Sequence, residues 1–214
     1  MPSTVETPQG AVSVEVTGPA GGPVLALAHG AGGRLEDPLL EGFADALADA
    51  GVGCLRFNFL YSEQRRRAPD REPLLRAVWS AAFDRAGEHG GPRWAGGKSL
   101  GGRIASMMVA DGSLAAAGLV FVGYPLHPPG RPERIRDAHL PDVGVPMLFL
   151  QGTADPFARW DLLAATLERL GDRATLHPVE GGDHSFRVRG RQRDDRGTGS
   201  ELGAVAAAFI RARA

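Results

Sequence analysis

The chain has 214 residues, of which 43% are hydrophobic and 23% charged, values ordinary for one globular domain with a sizeable core. Its net charge of −1 argues against nucleic acid or an anionic membrane as an electrostatic partner. No apolar run approaches the ~20 residues needed to cross a bilayer. The N-terminal residues lack a basic region followed by an apolar stretch, and the one cysteine, Cys54, cannot form an internal disulfide, so a cytoplasmic protein is expected.

Taken in chain order, apolar strand-like runs alternate with helix-like ones. Residues 11–17 read as an antiparallel edge strand. Residues 24–28 form a continuous apolar strand that ends in His29-Gly30-Ala31-Gly32-Gly33. An amphipathic helix is expected over 37–50, with Leu39, Leu40, Phe43, Ala46 and Leu47 on one face and Gly51 as its stop. A strand over 52–59 places Cys54 in an apolar run, where a thiol is buried and inert. A helix over 72–88 carries Leu75, Val78, Trp79 and Phe83. Strand 92–97 and helix 100–111 follow, then strands 118–123 and 145–151, helix 159–170, strand 174–179 and helix 201–211. This alternation predicts a single α/β domain over 1–214, a mostly parallel sheet with helices on both faces. Two loops stand out: 125–132, too rich in proline for regular structure, and 187–196, which carries five arginines and reads as a solvated, mobile connection.

The stretch Gly97-Lys98-Ser99-Leu100-Gly101 lies where the strand 92–97 meets the helix 100–111. That is the context of a G-x-S-x-G nucleophile elbow: the turn is so tight that flanking side chains would collide, and the serine projects over a helix N-terminus. A serine hydroxyl needs a base, usually a histidine oriented by a carboxylate. Asp155 follows the strand 145–151 in Gly152-Thr153-Ala154-Asp155-Pro156. His184 follows the last strand in Gly181-Gly182-Asp183-His184-Ser185-Phe186. Serine, acid and histidine thus occur in α/β-hydrolase order. The alternative to a catalytic Asp155 is a helix-capping carboxylate, and Asp183 is the alternative acid, disfavoured because a neighbour of the histidine rarely folds back onto its ring. Among the other histidines, His177 falls within a strand, and His89 and His139 are expected to be solvated. The glycine-rich turn after His29 suits a second oxyanion donor, so the two donors are expected to be the backbone N–H groups of Leu100 and Ala31. It lacks the G-x-G-x-x-G spacing and a P-loop lysine, so a phosphate-binding loop is disfavoured. His29 itself is expected to be scaffold. Lys98, the only lysine among the 24 basic residues, carries no assigned role.

These features resemble the α/β-hydrolase superfamily over essentially the whole chain. The stretches His29–Gly33, Phe57-Asn58-Phe59, Gly96–Arg103, Gly123–Gly130 and Gly182–Phe186 resemble more closely the small, lidless group related to dienelactone hydrolases, which includes testis-expressed protein 30 and the hydrolase-like region of NSL complex subunit 3. The resemblance implies Ser99, Asp155 and His184 as a triad, the residues already singled out. Dienelactone hydrolases proper carry cysteine where this chain has Ser99, which argues against their substrate.

The function expected is hydrolysis of a small carboxylic ester or thioester through an acyl-enzyme, with no metal or cofactor. A small peptidase on the same site, or a non-catalytic binding protein on a hydrolase fold, are the alternatives. Because the proline-rich loop leaves the carboxyl end of a central strand, Tyr124 and His127 are expected to contact substrate or shape its pocket. His127 as a mere brace for the loop is the competing reading. A short helix over 133–139 is expected, but no cap domain.

Overall fold

The computed structural model describes residues 3–214. Its strands are β1 (Ser3–Thr7), β2 (Gly10–Thr17), β3 (Val24–Ala28), β4 (Gly53–Phe57), β5 (Arg93–Lys98), β6 (Leu119–Val122), β7 (Met147–Gly152) and β8 (Ala174–Val179). They form one sheet in the order β1-β2-β4-β3-β5-β6-β7-β8, with β1 and β2 antiparallel and β3 to β8 parallel. The central strands are apolar on both faces, as β3 and β6 show with every residue buried, and such strands require helices above and below. The helices are α1 (Pro38–Asp49), α2 (Leu60–Glu63), α3 (Glu72–Gly87), α4 (Leu100–Ala110), α5 (Trp160–Leu170) and α6 (Asp195–Arg211). One core lies under α2, α3, α4 and α5, the other under α1 and α6. No separate cap domain is present among the described residues.

The sequence-derived elements hold with four corrections. Strand β2 is antiparallel, as expected, but is not the edge: β1 lies outside it, in register from Ser3 opposite Val14 to Thr7 opposite Gly10. Helix α6 begins at Asp195 rather than 201, with the Asp194 carboxylate accepting the Gly197 N–H at 2.8 Å. The arginine-rich segment therefore runs into a helix, and Arg196 pairs from α6 with Glu41 of α1. The short helix expected over 133–139 does not form. Its backbone is drawn into tertiary bonds instead: the Arg136 N–H donates to the Leu126 carbonyl and the Tyr124 hydroxyl to the Arg136 carbonyl, each at 2.7 Å. Finally, His139 is half-buried, its Nε2 within 2.8 Å of Ser106 Oγ, rather than solvated.

The chain reverses its progress across the sheet between β4 and β5, so the carboxyl ends of the adjacent strands β3 and β5 flank a crevice, the usual place for a ligand in open α/β sheets. Helix α1 is started by Asp37, whose carboxylate accepts the Leu39 N–H at 3.0 Å, with Pro38 at the first position. Cys54 is fully buried on β4 and its thiol is pushed up to about 12, chiefly by burial, as an inert core residue should be.

Candidate active site

Five strands deliver the expected site residues at one end of the sheet. Ser99 follows β5 directly, with φ 49° and ψ −113°, a conformation non-glycine residues rarely adopt. The surrounding framework holds it: the Ser99 N–H donates to Val122 O at 3.2 Å and the Arg103 N–H to Ser99 O at 3.1 Å. The flanking glycines are sterically required. A Cβ at Gly97 would stand 2.6 Å from Ala28 O, and one at Gly101 2.7 Å from His29 O. This is the collision the G-x-S-x-G spacing predicts.

Asp155 and His184 come from the loops after β7 and β8. His184 Nε2 is 2.9 Å from Ser99 Oγ, and His184 Nδ1 is 2.7 Å from Asp155 Oδ2. A carboxylate can only accept, so Nδ1 carries the proton and Nε2 is left to accept from the serine hydroxyl. The Asp155 side chain is fully buried. Its Oδ2 also accepts from Gln151 Nε2 at 2.6 Å, and its Oδ1 from the Phe157 N–H at 2.7 Å. Asp183 is turned away into a local turn, accepting the Ser185 and Arg187 N–H groups at 2.8 and 3.0 Å.

The turn after β3 faces the elbow. A side chain at Gly30 would lie 3.5 Å from Ser99 Cβ. His29 beneath it is fully buried, its Nδ1–H donating to Gly30 O at 2.7 Å and its Nε2 accepting the Phe59 N–H at 3.1 Å. Burial lowers its pKa to about 4, so it is a neutral scaffold residue. The N–H of Leu100, at the start of α4, and that of Ala31 have no backbone acceptor among the described residues.

Tyr124 and His127 lie in the loop after β6, but their polar atoms serve the scaffold. Tyr124 is 1% exposed, its ring packed on Phe121 and Phe149 and its hydroxyl on Arg136 O. His127 is 3% exposed. Its Nδ1 meets Pro128 O at 2.9 Å, its Nε2 accepts the Arg159 N–H at 2.8 Å, and its backbone N–H donates to Phe157 O at 2.9 Å. It thus ties the proline-rich loop to the loop that carries Asp155.

Two residues escaped the sequence reading. Gln151, fully buried, bridges Asp155 to the Tyr124 N–H, which it accepts at 2.8 Å. Phe157 stacks on the His184 ring at 4.1 Å between centroids and 26° between planes. Gln151, a polar side chain ending an otherwise apolar strand, could have been flagged. Nothing local marks Phe157. Lys98 pairs with Asp37 at 3.4 Å on the wall of a polar cavity of about 290 Å³ that also includes Ser185 and Arg187.

A mostly parallel sheet covered by helices on both faces, with a strained serine between a central strand and its helix, defines the α/β-hydrolase class. The chain belongs to the alpha/beta hydrolase domain family, whose model matches residues 22–211. Among solved structures it is similar to an alpha-beta serine hydrolase homologue from Coxiella burnetii, at 21% identity and TM-score 0.76 over 98% of this chain and 97% of that one. It is similar too to a dienelactone hydrolase from Anabaena variabilis, at 20% identity and TM-score 0.76 over 100% and 97% of the two chains. A serine hydrolase without a lid from Xanthomonas campestris matches at 21% identity and TM-score 0.73 over 99% and 94%. Membership of the family supports hydrolase activity.

Proposed function

We propose that the protein is a serine hydrolase that cleaves small carboxylic esters or thioesters through an acyl-enzyme, with Ser99, His184 and Asp155 as its triad. The observation that carries this reading is the continuous relay of hydrogen bonds from Ser99 Oγ through the imidazole to a buried carboxylate. Ser99 Oγ attacks the carbonyl carbon while its proton passes to His184 Nε2. The imidazolium so formed is stabilised by Asp155 and held in plane by the Phe157 ring. The oxygen that gains negative charge is received by the N–H groups of Leu100 and Ala31, the former reinforced by the N-terminus of α4. Collapse of the tetrahedral intermediate expels the alcohol or thiol, which takes the proton from His184. Water, activated by the same imidazole, then releases the acid and restores Ser99. Tyr124 and His127 shape the pocket indirectly, by fixing the loop on which Asp155 and Phe157 stand.

A fluorophosphonate probe tests the reading together with two variants. Stoichiometric labelling of Ser99 is expected in the wild type and none in Ser99→Ala. Turnover of a short ester should fall on the order of 10⁶-fold in Ser99→Ala and about 10⁴-fold in Asp155→Asn. A folded Ser99→Ala protein that keeps more than about a tenth of wild-type turnover moves the nucleophile elsewhere. A nearly silent Asp155→Asn beside a crippled Asp183→Asn moves the acid.

A further inference from the structure

Helix α4 carries Ser99 at one end and, one turn on, Arg103. Arg103 lines a groove of about 410 Å³ formed by α4, Arg76 of α3 and residues 136–142. Arg136 comes from the opposite wall of the same groove. These two guanidinium groups differ from the other basic groups of the groove. Arg76 is neutralised by Glu72 and Asp111, at 2.8 and 2.7 Å. His139 has its Nε2–H occupied by Ser106 Oγ, whose own proton goes to Arg103 O, and burial with the nearby Arg103 charge lowers its pKa. Arg103 and Arg136 have no carboxylate within ion-pair distance among the described residues, where Asp137 is engaged by Arg169 and Thr166. Arg103 Nε is buried with no hydrogen-bond partner, a costly state for a charged donor. Burial, then the Arg103 charge, hold Arg136 below the usual arginine range, against a smaller opposing effect of the Tyr124 phenol and none of any carboxylate. Two half-buried cations that line one groove and act on each other, neither paired with a carboxylate, are a binding site for an anion.

We propose that Arg103 and Arg136 bind the phosphate group of a small organic phosphate seated in the groove beside α4. A phosphate dianion matches both charges, whereas a carboxylate matches one, and its terminal oxygens accept from two planar forks at once. The rest of the groove fits an organic body: Met107 and Ala110 line it, and its volume lies in the range of small-molecule sites. Asp142, which also lines the groove and whose charge acts on His139, disfavours a second anionic group beside it. The site is independent of hydrolysis at Ser99.

Isothermal titration calorimetry with phenyl phosphate, inorganic phosphate and benzoate tests it. Phenyl phosphate should bind most tightly, with an affinity that falls as salt rises. Arg136→Gln and Arg103→Gln should each weaken it at least about tenfold, while Ser99→Ala binds as the wild type does. Circular dichroism reports whether each variant is folded, and Arg136→Lys, which keeps the charge but loses the fork, should fall between Arg136→Gln and wild type. Absence of phenyl phosphate binding to the wild type, or equal binding by folded Arg136→Gln, overturns the site. Equal affinity for inorganic phosphate, or tighter binding of benzoate, overturns its assignment to an organic phosphate. Loss of binding in Ser99→Ala would move the ligand to the elbow.

Discussion

His29 shows how a residue that takes no part in chemistry can still govern the conditions under which the site survives. Its ring spans two backbone groups, donating to Gly30 O and accepting from the Phe59 N–H, and protonation would turn that acceptor into a second donor facing a donor. Its pKa is lowered from 6.5 to about 4, burial being the main cause. A base whose pKa is lowered by folding is protonated in the unfolded chain first. Its contribution is therefore intact above pH 6.5, is lost as pH falls from 6.5 to about 4, and changes no further below. The loss is at most about 3 kcal/mol. Urea denaturation between about pH 7 and about pH 4.5 should show the wild type losing stability more steeply than His29→Gln, which can still donate and accept but does not titrate. Parallel pH profiles for the two would remove His29 from the account. At this scale the sequence was most informative where chemistry is tied to a local turn. Ser99, Asp155 and His184 each stand in a glycine-containing loop after a strand, and the structure brings the three together. Gln151 stands only four residues before Asp155, but its bond to the Tyr124 N–H forms only through folding, and no spacing rule connects Phe157 to His184.

Among the elements, α1 matches its expected bounds to within a residue, whereas α6, which packs on it, begins six residues earlier than expected. Gly197, Gly199 and Gly203 depress the helix propensity of α6, so the expected helix began only at Glu201. Two of those glycines are there for packing. A Cβ at Gly199 would overlap the Leu39 carbonyl, and one at Gly203 the Phe43 carbonyl, while Gly42 on α1 gives the same clearance to the Arg196 carbonyl. The two backbones approach too closely for side chains at these points, and the burial of Leu39, Phe43, Leu202 and Ala206 follows from that approach. Alanine at Gly199 sets two effects against each other. Propensity favours it by ~1 kcal/mol, whereas overpacking against a backbone that cannot yield costs ~1–3 kcal/mol. The clash should win, lowering the urea midpoint of Gly199→Ala at an unchanged m-value. A higher midpoint would show that α6 can slide outward. Strand β1 was missed for another reason: Ser-Thr-Val-Glu-Thr has one apolar residue, Val5, and its pairing with β2 rests on backbone bonds that leave no hydrophobic pattern.

For the whole molecule, the alternation of apolar runs made the parallel sheet and its two helical layers legible, because strands buried on both faces cannot hide their composition. The path between β6 and β7 was legible in its length but not in its detail. Those residues hold one turn of 3-10 helix, Leu140–Asp142, and no α-helix, so nothing in that segment folds over the crevice as a cap. An acyl chain leaving Ser99 would therefore run out to solvent after a few carbons. Each CH₂ buried adds up to ~0.8 kcal/mol of binding, and each one left wet adds nothing. In a series of p-nitrophenyl esters, kcat/KM should rise from acetyl towards butyryl and then level or fall, with dodecanoyl below butyryl. Activity should also show no jump when substrate passes its solubility limit, because the described residues form no lid for an interface to open. A steady rise through long acyl chains would mean that another chain or a rearranged loop covers the site, and would shift the substrate class from short esters to lipids.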